Sequence, residues 1–386
     1  MKKILTLLSM VTISISTASA SVACLPAQAK INTTFDNLIG KDIDKSNAVD
    51  TSEDPANHFG VSNFYTLGDS LSDNGGLVTI AKDELGVDAK MSGEYKNGFS
   101  NGLRTAELIN QKLNFSADSF KSSNLIHQAD VDYKGKKSWG RNYSVGGATA
   151  YEGSGLASQL LMGKTGIYKQ AVALVQQQVI NENDLFFIEI GGNDLFALAD
   201  ARDDLNAQAD IMNNAIENIK KCFYTLINNG AKKIIFASPP DILLTPRYNN
   251  KNTEKPYTED DLNKIKLLCQ EFDSKLSNLI TKINKETNDV IKTYNLYSEL
   301  KNILDEFKKT TPNANIENNL CTSTAFDLGS LDLTNIDINA TVRKEYQVNN
   351  IDEFFFIDQV HPTAAGHKFV ADKIWNLLSQ LGLINI

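Results

Sequence analysis

Short apolar segments alternate with longer segments of helical periodicity along most of the chain, and this alternation constrains the fold more than any other feature. The predicted strands are Asn63–Leu67, Leu185–Ile190, Lys233–Ala237 and Val290–Tyr294. The predicted helices include Gly102–Leu113, Asp210–Asn228, Glu259–Lys285 and Ala364–Leu381. Strands that alternate with helices form parallel sheets, because a parallel connection needs a long crossover, usually a helix. The pattern therefore predicts an α/β fold.

The first twenty residues have the three regions of an export signal. Lys2-Lys3 supplies the charge, residues 4–14 are apolar, and Ala18-Ser19-Ala20 offers small residues for cleavage. The apolar region is too short to span a membrane. We therefore expect residues 1–20 to be a signal peptide and the mature protein to be secreted, outside the cell or into the periplasm. Lipid attachment at Cys24 is a less favoured alternative, because the residues before it fit such a signal poorly.

The composition is that of a globular protein, with 42% hydrophobic and 22% charged residues among 386. A formal net charge of −9 without any Lys/Arg run argues against a nucleic-acid partner. The four cysteines form no C-x-x-C pair, so no structural zinc site is indicated. Residues 21–59 are polar and are predicted to form an exposed leader, and residues 60–386 to form one domain.

The chemistry-bearing residues begin at the end of the first predicted strand, which runs into Gly68-Asp69-Ser70-Leu71. A serine just past a strand end is well placed, because ligands bind beyond the carboxyl ends of strands in open α/β sheets. A helix that follows can also aim its free N–H groups at an anion. The alternative is that Ser70 only caps that helix.

Five segments of the chain resemble the GDSL lipases and esterases, also called SGNH hydrolases. They occur in the family's order over about residues 60 to 380. The segments are Gly68-Asp69-Ser70-Leu71 with Asp73, Phe99-Ser100-Asn101-Gly102, Asn142-Tyr143-Ser144-Val145-Gly146-Gly147-Ala148-Thr149-Ala150, Gly191-Gly192-Asn193-Asp194 and Asp358-Gln359-Val360-His361-Pro362-Thr363. The combination looks most similar to the branch of bacterial secreted phospholipases A and glycerophospholipid:cholesterol acyltransferases.

The resemblance implies a flavodoxin-like three-layer α/β/α sandwich with a central, mostly parallel sheet. It also implies a serine as nucleophile near the first strand, an aspartate and a histidine together near the C-terminus, and no metal or organic cofactor. A region around residues 245–345 resembles the variable, lid-side insert of the acyltransferase branch.

The base that activates Ser70 is sought among four histidines, which are His58, His127, His361 and His367. Three are poor candidates, because they precede the predicted domain, lie in a polar loop or lie inside the last helix. His361 follows an apolar strand, and Asp358 three residues upstream can orient its imidazole. The alternative is that Asp358 starts a helix and His361 is merely exposed.

The resemblance also implies the groups that stabilise an oxyanion. They are the backbone N–H groups of Ser70 and Gly147 and the side-chain amide of Asn193. Gly146 could replace Gly147, since either glycine allows close approach of the backbone to a substrate. For Asn193, a turn after a buried strand is a compatible structural role.

The cysteines leave two alternatives open. Cys269 and Cys321 bracket the region that resembles the insert, and they could form a disulfide in an oxidising compartment. Equally, Cys222, Cys269 and Cys321 could be buried free thiols that pack as small apolar residues.

We therefore predict a secreted serine esterase that acts on carboxylic esters of lipids, of the phospholipase A, lysophospholipase or lipase type. Its partner is a lipid ester from a membrane or micelle surface. Acyl transfer to an alcohol such as a sterol shares the same acyl-enzyme and stays open. A carbohydrate O-acetyl esterase is an alternative in the same fold. A non-enzymatic secreted binding protein is an alternative of another class, which predicts the loss of a site residue, and none is lost.

Overall fold

The computed structural model describes residues 38–123, 131–133, 135–152, 165–249, 256–326, 335–348 and 350–385. The predicted signal peptide, Cys24 and His127 lie outside these residues. In chain order the elements are β1 (Phe64–Gly68), α1 (Gly76–Leu85), β2 (Asp88–Gly93), α2 (Thr105–Lys112), β3 (Val131–Tyr133), β4 (Lys136–Ser138), α3 (Ile167–Gln177), β5 (Leu185–Glu189), α4 (Gly192–Asp200), α5 (Leu205–Asn228), β6 (Lys233–Ala237), α6 (Glu259–Thr287), β7 (Ile291–Tyr294), α7 (Leu296–Thr310), β8 (Asn315–Asn319), β9 (Cys321–Ser323), β10 (Asn335–Val342), β11 (Phe354–Phe356) and α8 (Ala364–Gln380).

The central sheet has the strand order β1-β5-β6-β7, and all of its pairings are parallel. Residues 141–145 extend it beyond β1, because the N–H of Tyr143 donates to Thr66 O at 2.8 Å and that of Val145 to Gly68 O at 3.1 Å. The four strands that the sequence predicted all form, with ends that differ by at most one residue. The side chains of β1, β5 and all but the first residue of β6 are buried on both faces, which is why these strands appear in the sequence as apolar runs, whereas β7 at the edge exposes Thr293.

Helices cover both faces of the sheet, as the alternation of side chains along each strand requires. On β1, Phe64 packs in one hydrophobic cluster, whereas Tyr65 and Leu67 pack in the other. The face of Tyr65 is covered by α3, α4, α5 and α6, and the face of Phe64 by α2, α7 and α8. The predicted three-layer α/β/α sandwich is therefore confirmed.

The described part of the predicted leader, residues 38–59, is mostly exposed or half-buried, but some of its residues contact the rest of the fold. The N–H of Val49 donates to Gln177 O at 2.9 Å at the end of α3, and Thr51 is buried. The His58 ring stacks on Phe115 with 4.0 Å between centroids. These contacts tie residues 49–58 to the rest of the fold, which composition does not reveal, and the domain boundary at residue 60 stays a prediction.

The insert predicted around residues 245–345 stays a prediction, but parts of that range pack into the main fold. Ile265 and Phe272 of α6 are fully buried in the core, and β7 is a strand of the central sheet. The part that stands apart is the small sheet, formed by β2, β10 and β9. There β10 pairs in parallel with β2 and antiparallel with β9. Its strands alternate polar with apolar residues, as expected when only one face is buried.

The disulfide considered between Cys269 and Cys321 is absent, and both residues are buried free thiols. Cys269 on α6 packs in the large core cluster, whereas Cys321 on β9 packs with Ile338 and Phe354 beside the small sheet. The two thiols therefore belong to separate hydrophobic clusters. Within the described part of the chain, none of the helices is both long and apolar enough to cross a bilayer.

Candidate active site

Ser70, His361 and Asp358 meet at the carboxyl end of β1, although 291 residues separate the first two in sequence. The Nε2 atom of His361 lies 2.6 Å from Ser70 Oγ, and its Nδ1 atom lies 2.7 Å from Asp358 Oδ2. Ser70 is 8% exposed, His361 5% and Asp358 0%, so exposure rises from the acid to the nucleophile. This hydrogen-bonded chain is the arrangement expected of an acid, a base and a nucleophile, and its hydroxyl end reaches a cavity.

The loop between β11 and α8 sets the orientation of His361. Asp358 Oδ1 accepts the N–H groups of Val360 at 2.9 Å and of His361 at 2.8 Å, so the carboxylate closes the turn that carries the histidine. Asp358 Oδ2 accepts the O–H of Tyr95 at 2.5 Å as well as facing the imidazole. Burial alone raises the pKa of Asp358, but His361 and these hydrogen bonds outweigh it and hold the pKa below its usual value. These contacts therefore favour the ionised form of the Asp358 carboxylate.

The segment Phe99-Ser100-Asn101-Gly102 supports this loop from outside. The Phe99 ring stacks on His361, with 4.9 Å between centroids and 26° between planes. Ser100 Oγ donates to Pro362 O at 3.0 Å, and Asn101 Oδ1 accepts the N–H of Ala364 at 2.7 Å. The sequence showed that this segment belongs to a motif, and the structure shows that it holds the histidine loop in place.

The other described histidines lie away from Ser70. His58 Nδ1 is 2.9 Å from Leu113 O, and His367 Nδ1 is 3.0 Å from Thr105 Oγ1. Burial lowers the pKa of His367 well below its ordinary value, so it is a neutral packing residue. Of the described histidines, His361 is the one that the structure brings to Ser70.

The three predicted oxyanion donors lie along the same cavity as the hydroxyl of Ser70. The N–H groups of Ser70 and Gly147 have no acceptor among the described residues. The N–H of Gly146 already donates to Asp73 Oδ2 at 2.6 Å, which leaves Gly147 as the available donor of the two glycines. Gly147 has φ +76°, a left-handed conformation that favours glycine. Asn193 Nδ2 donates to Ala148 O at 2.9 Å, and its second N–H remains for a ligand.

Asp73 connects the turn that follows Ser70 with the loop of Gly146 and Gly147, which we call the glycine loop. Its carboxylate accepts the N–H groups of Gly75, Gly76 and Leu77 at 2.5–3.0 Å as well as that of Gly146. Burial raises its pKa from the ordinary value, whereas these four bonds act in the opposite direction. Asp73 belongs to the motif around Ser70, but the sequence alone indicates no role for it. Its contact with Gly146, 73 residues away, is what sequence alone could not show.

Asp194 likewise binds backbone N–H groups, in this case those that follow the glycine loop. Its carboxylate accepts the N–H of Ala150 at 3.0 Å and that of Tyr151 at 2.6 Å, just after the glycine loop. Because Asp194 is the neighbour of Asn193 at the start of α4, the two side chains tie the helix to that loop. Burial raises the pKa of Asp194 to about 6.

A third buried acid, Glu189, lies beneath the nucleophile turn at the end of β5. It accepts a short hydrogen bond from Ser72 Oγ, and its backbone passes so close to Gly68 that a Cβ there would clash with Glu189 O. Burial and then the neighbouring Asp69 raise the pKa of Glu189 to about 8. Burial likewise raises the pKa of Asp69 to about 7. The sequence offered no signal for this pair beyond a glutamate in an apolar strand.

The cavity beside Ser70 has a volume of about 550 Å³ and a mostly apolar lining. Apolar residues that contribute to it include Leu77, Ile80, Val145, Phe196, Pro240 and Ile338. Cavities of this size bury most of a small organic ligand.

A protein-family model described as GDSL-like Lipase/Acylhydrolase matches residues 64–374. The match spans β1 through most of α8, and so it includes all five motif segments. Comparison with curated proteins gives no significant match.

Proposed function

The chain belongs to the GDSL-like lipase/acylhydrolase family, and on that premise we propose that it is a secreted serine esterase that hydrolyses carboxylic esters of lipids. The hydrogen-bonded chain from Asp358 through His361 to Ser70 carries this proposal, because its hydroxyl end lies beside three N–H donors. The family match supports ester hydrolysis in general.

The first half of the proposed reaction forms an acyl-enzyme. Ser70 Oγ attacks the ester carbonyl carbon while His361 Nε2 takes the hydroxyl proton, and the carbonyl oxygen becomes an oxyanion. The N–H groups of Ser70 and Gly147 and the Asn193 amide donate to that oxyanion. His361 then gives its proton to the leaving alkoxide, and the carbon–oxygen bond to the alcohol breaks.

The second half releases the acyl group. A water molecule attacks the acyl carbon, His361 takes a proton from the water, and the proton returns to Ser70 Oγ as the fatty acid leaves. An alcohol such as a sterol can replace water in this step, which makes acyl transfer the companion activity of the proposal. Asp358 stays ionised throughout and stabilises the imidazolium.

The apolar cavity supports a lipid substrate such as a phospholipid or lysophospholipid. Its lining matches an acyl chain, because burying methylene groups against such walls is favourable by about 0.8 kcal/mol each. The export pattern at residues 1–20 supports secretion, and membranes or micelles are then the source of the substrate.

Covalent labelling tests the proposed nucleophile. A fluorophosphonate should modify Ser70 in the folded protein and not after heat denaturation, since it needs both the activated hydroxyl and the oxyanion donors. Ser70→Ala should abolish labelling. Ser72→Ala, which removes a nearby hydroxyl that contacts Glu189 instead of His361, should keep it. Peptide mapping that finds the adduct on another serine would contradict the assignment.

Product profiling tests the substrate. Incubation with phospholipid vesicles, with and without a sterol, should release fatty acid, and a sterol ester should form if an alcohol competes with water. A series of p-nitrophenyl esters adds the acyl preference, and activity should rise from acetate towards longer chains. Activity restricted to acetyl esters, including acetylated sugars, would favour the carbohydrate esterase instead.

A further inference from the structure

One arginine lies in the cavity of the candidate active site. Arg247 lines the same cavity as Ser70, and its backbone N–H donates to Gln359 O at 2.9 Å in the loop that carries His361. Its guanidinium carbon lies 4.8 Å from the centroid of the Phe196 ring, and Phe196 follows Asn193 by one turn of α4. These two contacts place Arg247 between the histidine loop and the helix that carries Asn193.

The guanidinium of Arg247 is unlike the others in the protein. The chain has five arginines, and four of them form ion pairs, namely Arg104 with Glu107, Arg141 with Glu53, Arg202 with Asp261 and Arg343 with Glu345. Arg247 has no carboxylate within 4.0 Å among the described residues, although Asp200 also lines the cavity. Burial raises the pKa of Asp200 and the charge of Arg247 acts in the opposite direction, so the two groups attract each other at longer range. The guanidinium also faces the Phe196 ring, which stabilises a cation and leaves its N–H donors open.

Arg247 is half-buried in a mostly apolar cavity, where an anion that binds its N–H groups directly would add to the longer-range attraction of Asp200. A guanidinium presents its N–H groups as a planar fork that suits the paired oxygens of a phosphate. The cavity therefore offers apolar walls for an acyl chain and the guanidinium of Arg247 for an anion.

The position of Arg247 indicates which part of a substrate it meets. In the proposed reaction His361 protonates the leaving alkoxide, so the leaving group departs along the histidine loop. Arg247 is bonded to that loop through Gln359. We propose that Arg247 binds the phosphate of the leaving group and selects phospholipids over neutral glycerides. The inference rests on the proposed function and adds to it the residue that recognises the substrate class.

The test compares two substrates with identical acyl chains, dihexanoyl phosphatidylcholine and dihexanoylglycerol, both kept below the concentration at which they aggregate. Arg247→Gln should lower kcat/KM for the phospholipid about 10- to 100-fold and for the glyceride by less than about twofold, because it removes charged hydrogen bonds to phosphate alone. Arg247→Lys should restore part of the loss as a point charge. Arg202→Gln is the matched control, since Arg202 also faces a ring, that of Tyr257, but is paired with Asp261 and lies outside the cavity lining.

Three outcomes overturn the inference. They are an equal loss on both substrates in Arg247→Gln, no loss on the phospholipid, and a wild-type protein that prefers the glyceride. None of these removes Ser70-dependent hydrolysis of the glyceride, so the proposed function survives them. Conversely, glyceride hydrolysis that persists in Ser70→Ala overturns the proposed function and, with it, the inference.

Discussion

The two halves of the candidate site are held in place by different means. The oxyanion half (Ser70, Gly147 and Asn193) stands on the central sheet, where the buried carboxylates of Asp73 and Asp194 bind backbone N–H groups of the loops around it. The acid–base half is the loop of Asp358 and His361.

The acid–base half depends on side chains from outside the central sheet. Tyr95, just after β2, donates to Asp358, and the Tyr95 hydroxyl is also 2.7 Å from Ser323 Oγ on β9. The N–H of Cys321 donates to Ile357 O at 2.7 Å beside the same loop. The small sheet thus supports the acid and base, whereas the central sheet supports the nucleophile and the donors. The comparison predicts that changes in the two halves affect different properties of the enzyme.

The largest effect is expected where the halves meet. Ser70→Ala should lower kcat/KM for a p-nitrophenyl ester at least about 10⁴-fold and leave the thermal unfolding midpoint nearly unchanged, because only the nucleophile is lost. Ser70→Ala/His361→Ala should be hardly less active than either single variant, since the groups act as one unit. Losses that multiply in the double variant would show that the halves work independently.

In the oxyanion half, Asn193→Ala should lower kcat about 10²- to 10³-fold with little change in KM, because the amide stabilises the transition state more than the bound ester. Asn218→Ala is the matched control. Asn218 Nδ2 makes a similar bond, 2.9 Å to Ala150 O, but lies outside the cavity lining. It should cost about 1 kcal/mol of stability and leave kcat unchanged. Equal effects of the two variants on kcat would assign Asn193 a structural role.

The buried acid beneath the oxyanion half should make stability fall with pH. Burial and Asp69 raise the pKa of Glu189 to about 8, so the folded protein keeps a proton that the unfolded chain loses near its ordinary pKa of 4.5. Between these values each retained proton makes the free energy of unfolding fall by about 1.4 kcal/mol per pH unit. Glu189→Gln should flatten this slope in urea unfolding at pH 5, 6.5 and 8, whereas Glu286→Gln on the surface should not. An unchanged slope in Glu189→Gln would show that Glu189 does not carry the retained proton.

The smallest effect is expected when the hydrogen bond from Tyr95 to Asp358 in the acid–base half is removed. Tyr95→Phe should lower kcat/KM about 3- to 10-fold at neutral pH, because one hydrogen bond to Asp358 is lost. That bond helps to depress the pKa of Asp358, so its loss raises this pKa, and the loss of activity at the acid end of the profile, where Asp358 takes up a proton, should shift to a higher pH. Tyr143→Phe, which alters a buried hydroxyl 3.2 Å from Gln178 Nε2, is the control and should leave the pH profile unchanged. A Tyr95→Phe profile identical to the wild type would remove Tyr95 from the site.

Much of the fold was accessible from the sequence because it rests on local patterns. The four central strands appear as apolar runs and α6 and α8 as amphipathic repeats, and each forms within a few residues of the predicted ends. Contacts between distant segments were not accessible in this way, and the predicted leader and insert each contain an example. Val49 joins the fold by pairing with Gln177, and α6 joins the core despite its many charged residues, and neither contact leaves a local pattern.

In the candidate site, the sequence by itself determined the residue types: a serine after the first strand, an Asp-x-x-His near the C-terminus, and glycines and an asparagine between them. Only the tertiary structure decided which groups meet. It brought His361 to Ser70 across 291 residues, engaged Gly146 through Asp73 so that Gly147 is the open donor, and placed Tyr95 and Arg247 at the acid–base half. The physical reason is the distance along the chain over which each effect acts. Periodicity and turn chemistry depend on a few neighbouring residues, whereas hydrogen bonds between distant segments form only when the sheets have packed.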